Sequence, residues 1–401
     1  MTVMAALCFG AGIRTDAQSG TGSGCNQPAP QPVTQVSLPG NPFEPLPTAD
    51  GCWILVSMNS NMPANRGVAV LHRSAGKISL ARVVPVDGGP AAATLTHDGT
   101  LMIIADNDRV AFLDVDRLIA GQKNALAGSM VDPDSQQSIN VAVTADDHYL
   151  FVAEERSAII TVIDLAKARA VGFDRSAVIG HIPVGNAPVG MAFSPDGKWL
   201  YTTSQGAPAN LGWPRACRPE GSPANTPANH PRGAVIVVDV ARAKSDPSHA
   251  VVATVAAGCN PVRLVLSPSG DTAYVSARGD DALLVFDTKK LVGDGVNALM
   301  AKVPVGTAPV GVAVIDDGRK IVVTNSNRFA SSGADHQDLN VIDAARVSSG
   351  AAAVLGLIPA GGFPRELQVT ADGHTLLVTN YTSKTVEIVD LDRLPQAMKK
   401  H

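Results

Sequence analysis

The chain has 401 residues, of which 45% are hydrophobic and 17% charged, with a formal net charge of −4. Such a length can hold several ordinary domains, although closed β architectures use it as one, and the apolar content is ample for a core. No run of Lys or Arg offers a nucleic-acid footprint, and no apolar stretch reaches the ~20 residues of a membrane helix, so neither partner is expected.

The N-terminal stretch "MTVMAALCFGAGI" (1–13) is short and apolar, and a small, polar, Pro-rich segment follows it to residue 32. The pair resembles the apolar core of a secretory signal and a linker, without the usual basic leader. A disordered tail is the alternative reading. Export is the expectation, to the periplasm or out of the cell, with residues 1–32 outside the folded domain. The five cysteines show no C-x-x-C, haem or zinc spacing. Four of them, Cys25, Cys52, Cys217 and Cys259, lie beyond the apolar stretch, and an even number in an exported chain predicts two disulfides.

From residue 33 onward a repeat dominates. "SPDGKWLYTT" (194–203) returns as "SPSGDTAYVS" (267–276), "IDDGRKIVVT" (315–324) and "TADGHTLLVT" (370–379). Taking the turn residue as a ruler, Gly51, Gly99, Asp147, Gly197, Gly270, Gly318 and Gly373 are spaced 48, 48, 50, 73, 48 and 55 apart. Periods of this size belong to solenoids and propellers. Each unit holds a short apolar strand ("VGMAFS", 189–194), a tight turn, a second strand ("WLYTTS", 199–204), a third ("VIVVDV", 235–240) and a variable fourth ("VVATVA", 251–256). Asp-Gly supplies the left-handed backbone position that a hairpin turn needs. Four antiparallel strands per repeat describe a propeller blade. The expected fold is therefore all-β, a seven-bladed β-propeller occupying residues 33–401 as a single domain.

The third strand of each unit ends in Asp114, Asp164, Asp239, Asp287, Asp343 or Asp390, with His72 in the first unit. Such an Asp ties down the following turn through its own backbone, so these residues read as structural. The seventh unit has three strands, because the chain ends soon after "VEIVDLD" (386–392), while an orphan strand "VTQVSL" (33–38) precedes the first. An unclosed ring would leave a sheet edge exposed, so the orphan is expected to complete the last blade. On this geometry Cys217 and Cys259 lie at the same end of neighbouring blades and should pair. Cys25 and Cys52 share the opposite end, beside the seam between the last and first blades.

The residues "VVTN" (322–325) and "LVTN" (377–380), with the lead-ins "VGNAPVGMAFSPDG" (184–197) and "VGTAPVGVAVIDDG" (305–318), resemble the YVTN β-propeller repeat. The resemblance covers nearly the whole chain past residue 33 and is specific for fold. It implies kinship with surface-layer and periplasmic propellers, lactonases and the heavy chain of methylamine dehydrogenase. The first three units depart most: "LPGNPFEPLPTADG" (38–51) places Pro inside a strand, and "QSINVAVTADD" (137–147) lacks the Pro lead-in.

Chemistry is expected at the loop-rich end of the ring, opposite the Asp-Gly turns. Seven positions before each turn residue stand Glu44, Ala92, Asn140, Gly190, Arg263, Gly311 and Glu366, where the resemblance implies Gly. Charges at a channel mouth are costly unless paired or wet. They suggest either a polar pocket of Glu44, Asn140, Arg263, Arg365 and Glu366 or a closed ring of ion pairs. After the turn residue, Glu154, Asn325 and Asn380, then Arg278 and Tyr381, reach the same end. Arg263 and Arg278 share one unit, and Arg forks suit carboxylates and phosphates. The segment 204–233 is a 30-residue insertion carrying Trp213 and His230, and a smaller insertion at 325–338 carries Arg328 and His336. Loops of that length often act as lids.

Signatures of hydrolases, P-loops and dinucleotide folds are lacking in the sequence. Two readings follow. One is an exported propeller that binds a small polar or anionic ligand, or a partner protein, on its loop-rich face. The other, implied by the resemblance, is a lactonase-like enzyme in which arginines hold an oxyanion and Glu44, Glu154 or Glu366 moves the proton. Electron transfer beside a cofactor-bearing subunit is a weaker third. No cofactor or metal is expected, His230 with His336 being the weak exception, and the chain reads as a monomer.

Overall fold

The structure is a computed structural model that describes Cys25, residues 27–329 and residues 337–399. The signal-like stretch 1–24, and residues 330–336 of the second insertion with His336, lie outside the described residues.

Seven four-stranded antiparallel sheets follow one another in chain order and form the seven-bladed propeller, and a two-stranded sheet sits in the long insertion. The innermost strands are Asn41–Pro47, Pro90–Leu95, Ser138–Val143, Asn186–Phe193, Pro261–Leu266, Pro309–Ile315 and Pro364–Val369. In the seventh sheet Val33–Ser37 lies outermost, antiparallel to Thr385–Asp390, with Val36 opposite Val386. Prolines crowd the first innermost strand at positions 42, 45 and 47. They are tolerated because one edge of that strand faces the channel and needs no ladder donor.

The apolar core is distributed as seams between adjacent blades. Leu55, Val68 and Val70 of blade 1 pack on Met102, Ile104 and Ala111 of blade 2. Ile54, Val56 and Leu71 on the other face of blade 1 pack on Leu377, Val386 and Ile388 of blade 7. Central strands are thus buried on both faces, which is why they read as near-continuous apolar runs.

Two local motifs repeat. At the Asp-Gly end, Thr96 Oγ1 donates to Asp98 Oδ1 (2.5 Å) and accepts from Leu101 N (3.1 Å), and Gly99 takes φ +70°. The same hydroxyl–carboxylate clasp recurs at Thr48, Thr144, Ser194 and Thr370. At the end of the third strand, Asp114, Asp164, Asp239, Asp287, Asp343 and Asp390 each accept backbone N–H groups of the short helix or turn that follows. They are N-caps, as their structural reading anticipated. In blade 1, His72 instead packs against Trp53 in a tilted pair, with ring centroids 4.5 Å apart.

Both expected disulfides are present, Cys25–Cys52 and Cys217–Cys259. The first fastens the segment ahead of Val33 to blade 1, and the second fastens the long insertion to the loop before blade 5. Among the described residues no helix is long and apolar enough to cross a membrane.

Candidate functional site

The site is built on a bulge repeated in every blade. The register of each innermost strand slips near its start, between Pro42 and Pro45, Pro261 and Leu264, and Pro364 and Leu367, for example. Two residues then oppose one residue of the second strand, and a bulge of this kind re-aims side chains. The residues so placed include Phe43 and Glu44, Val262 and Arg263, and Arg365 and Glu366. In five blades the residue opposite the bulge is Ser57, Thr203, Ser276, Thr324 or Thr379, and its hydroxyl donates to a backbone carbonyl of the next blade's bulge. Ser276 also accepts from Arg263 N (3.0 Å), and Thr379 from Glu366 N (3.1 Å). Blade 3 has Ala153 there, and Asn140 Nδ2 makes the bond across the seam instead, to Val189 O (3.1 Å). Asn140 thus belongs to the belt that joins blades.

The charged residues of the bulges meet at the channel mouth. Arg263 grips Glu366 through both ends of its fork, Nε to Oε2 at 2.9 Å and Nη2 to Oε1 at 2.5 Å. Its third arm donates to Val189 O. Both side chains are more than nine-tenths buried, so this is a desolvated, fully engaged pair that holds the Arg263 guanidinium above its ordinary pKa against the opposing effect of burial. Glu44 lies within their field. Burial, with Glu366 as a like charge, pushes its carboxyl well above the usual range, against the opposing pull of Arg263 and Arg365. Glu366 is shared unequally: both of its oxygens are held by Arg263, and Arg365 reaches only Oε1, at 3.5 Å.

Arg365 lies over the Phe43 ring, its guanidinium carbon 3.7 Å from the centroid, with Phe363 and Tyr381 at 5.6 and 5.7 Å. Its Nε is buried with no hydrogen-bond partner, 3.5 Å from Glu366 Oε1. Burial lowers its pKa to about 10, so it remains a cation at neutral pH. Arg328, from the blade 6 insertion, places its guanidinium carbon 5.2 Å from the same Phe363 ring, and burial and Arg278 depress its pKa. Among the described residues it makes no hydrogen bond or ion pair. Phe363 itself adopts φ +54°, an uncommon conformation for a bulky residue. There it packs with Val189, Val262 and Val310 as an apolar floor below the arginines.

Other expected residues are drawn elsewhere. Arg278 does not converge with Arg263; its fork is taken by Glu220 of the long insertion (Nη2 to Oε2, 2.7 Å) and by Gln205 (3.0 Å). A cleft of about 340 Å³ opens there, between the insertion and the loop holding Arg278 and Asp281. Asn325 bonds Asp338 (2.5 Å) and Asn340 (2.8 Å), and Asn380 bonds Thr385 (3.1 Å) and Glu387 (3.3 Å), so both amides brace the third strand of their blade. Glu154 is buried between blades 2 and 3, accepting from Ser138 (2.8 Å) and Thr161 (3.4 Å), and burial lifts its carboxyl to about 7. Trp213 packs on the apolar seam of blades 3 and 4. His230 directs Nε2 to Arg218 O (2.9 Å) and Nδ1 to Pro231 O (3.0 Å), a local clasp within the insertion. Sequence reasoning missed Glu220, which sits in an insertion without a period, and Phe363, which takes the lead-in position held by Ala187 and Ala308 in other blades.

No family model and no curated protein matches the chain. Among solved structures it is similar to Kuenenia stuttgartiensis hydrazine synthase, with a TM-score of 0.65 and 17% identity over 88% of this chain and 96% of that one. A likeness at that identity shows a shared propeller-like fold and leaves the activity open.

Proposed function

We propose that this is an exported, YVTN-type propeller that binds a small carboxylate or similar anion at its channel mouth. One observation carries the reading. Two guanidinium groups, Arg365 and Arg328, flank one aromatic ring while both oxygens of Glu366 are held by Arg263 and burial disfavours the charged form of Glu44. Such forks suit a planar anion. Two disulfides support an oxidising compartment, and the "VVTN" and "LVTN" stretches support the kinship.

The test is thermal denaturation against a concentration series of succinate and citrate. A ligand of the folded state raises Tm with its concentration. The parent should respond, and Arg365→Met or Arg328→Gln should not, while each variant keeps a parental Tm without ligand. An unresponsive parent would sink the reading. The lactonase-like alternative draws support from Glu44, whose carboxyl burial pushes well above the usual range in the field of two arginines. It requires turnover of lactones that Glu44→Gln abolishes while carboxylate binding survives.

A further inference from the structure

A second site lies far from the channel mouth, where the loop 131–137 crosses from blade 2 to blade 3. Its side chains Asp132 and Asp134 meet His181, on the outermost strand of blade 3, with one ligand atom of each within 4.8 Å of the others. His181 Nε2 lies 2.6 Å from Asp132 Oδ2. We propose that these three residues bind one divalent transition-metal ion of the zinc or manganese type.

The donor set argues for that class. One imidazole nitrogen with two carboxylate oxygens is too nitrogen-rich for a calcium site and too hard for copper(I), and it leaves positions open to water. The charge balance argues for a cation. Asp132 is only 7% exposed, yet among the described residues neither it nor Asp134 pairs with a Lys or Arg, and the buried Glu154 lies in its field. Burying a carboxylate is costly, and a bound cation offsets that cost.

The surroundings are also organised to aim the ligands. Ser135 Oγ reaches Asp132 Oδ2 (3.4 Å) and Thr161 Oγ1 (2.9 Å), and Thr161 continues to Glu154 (3.4 Å). The Asp132 backbone carbonyl accepts Ser135 N (3.0 Å), which folds the loop toward His181. Outer-shell hydrogen bonds of this kind orient metal ligands. The sequence shows no metal spacing because the ligands come from a loop and from a later outer strand that only the blade brings together.

The experiment is calorimetric titration of chelator-treated protein with Zn²⁺ and separately Mn²⁺, with Ca²⁺ as the contrast. One ion per chain should bind, Tm should rise with free metal, and Ca²⁺ should bind far more weakly. Asp134→Asn, at an exposed position with little at stake for folding, and His181→Ala should each weaken binding by more than about tenfold, the low end of what loss of an outer-shell partner alone costs. Other histidines lie beside carboxylates, His249 with Asp246 for instance, so His249→Ala serves as a control and should be silent. Parental affinity in Asp134→Asn and His181→Ala, or absence of a stoichiometric site in the parent, overturns the proposal.

Discussion

At the scale of single residues, burial decides which carboxyls carry charge. Asp106 is 1% exposed, and burial lifts its carboxyl to about 6 although Gly89 N donates to it at 2.6 Å and Arg109 lies 3.5 Å away. Its second oxygen has no hydrogen-bond partner. An unfolded Asp titrates near ~4, so between about pH 4 and 6 the folded state holds the proton more tightly. Stability contributed by this group is therefore present at low pH and lost as pH rises through that window, by up to about 3 kcal/mol. Asp98 and Asp316, both lowered to about 2, act in the opposite sense at lower pH, so the difference between variant and parent is the informative quantity. In Asp106→Asn, urea denaturation at about pH 4.5 and pH 7 should give a smaller fall in stability than the parent shows. An identical fall in both proteins would refute the assignment.

At the scale of the element, the bulge with its facing hydroxyl is the unit that repeats. The Ser276 hydroxyl takes Arg263 N and gives to Val310 O (2.6 Å), so it satisfies a bulge within one blade and ties that blade to the next. Ser276→Ala leaves a buried N–H and a buried carbonyl without partners, at a cost of about 1–3 kcal/mol. The denaturation midpoint should fall accordingly with an unchanged urea m-value; a loss below about 0.5 kcal/mol would mean that the neighbouring backbone or water replaces it. This element also explains what was legible beforehand. Turn spacing places residues 44, 263 and 366 at the same station, so their convergence could be read from the ruler. The Asp caps and turn clasps are local, and local chemistry survives in sequence. Arg278, Asn325 and Asn380 pass the same ruler but turn to Glu220, Asp338 and Thr385. Those partners lie in the insertion or on the third strand, where position along the period says nothing about rotamer choice. The blade 3 metal ligands, in turn, come from a loop and a fourth strand, the least periodic parts of the repeat.

At the scale of the whole molecule, the seventh sheet joins segments far apart in sequence. Val33–Ser37 pairs with Thr385–Asp390, Gln35 Nε2 donates to the buried Glu387 (2.8 Å), and Asp390 N donates to Pro32 O (2.9 Å). If this pairing carries the closure, deleting residues up to Leu38 should lower Tm sharply, because it bares the edge of Thr385–Asp390 and opens the apolar seam with blade 1. Removing only residues 1–24, ahead of Cys25, should leave Tm near the parent. Equal melting temperatures for the two truncations would refute that role. The pairing of Cys217 with Cys259 was readable at this scale, since blade order alone sets the two loops side by side.

The same outer strand bears on time as well as on strength. Gln35 and Glu387 touch across 352 positions of sequence, so a strand made early must wait for one made much later. Blades 1 to 6 can form in order as the chain emerges, but the seventh sheet stays incomplete until Thr385–Asp390 has been made. During that interval Val33–Ser37 is a free β-edge next to a growing array of blades. The bond from Cys25 to Cys52 spans only 27 positions and can form early, which would keep the waiting strand beside blade 1, the neighbour of its final berth.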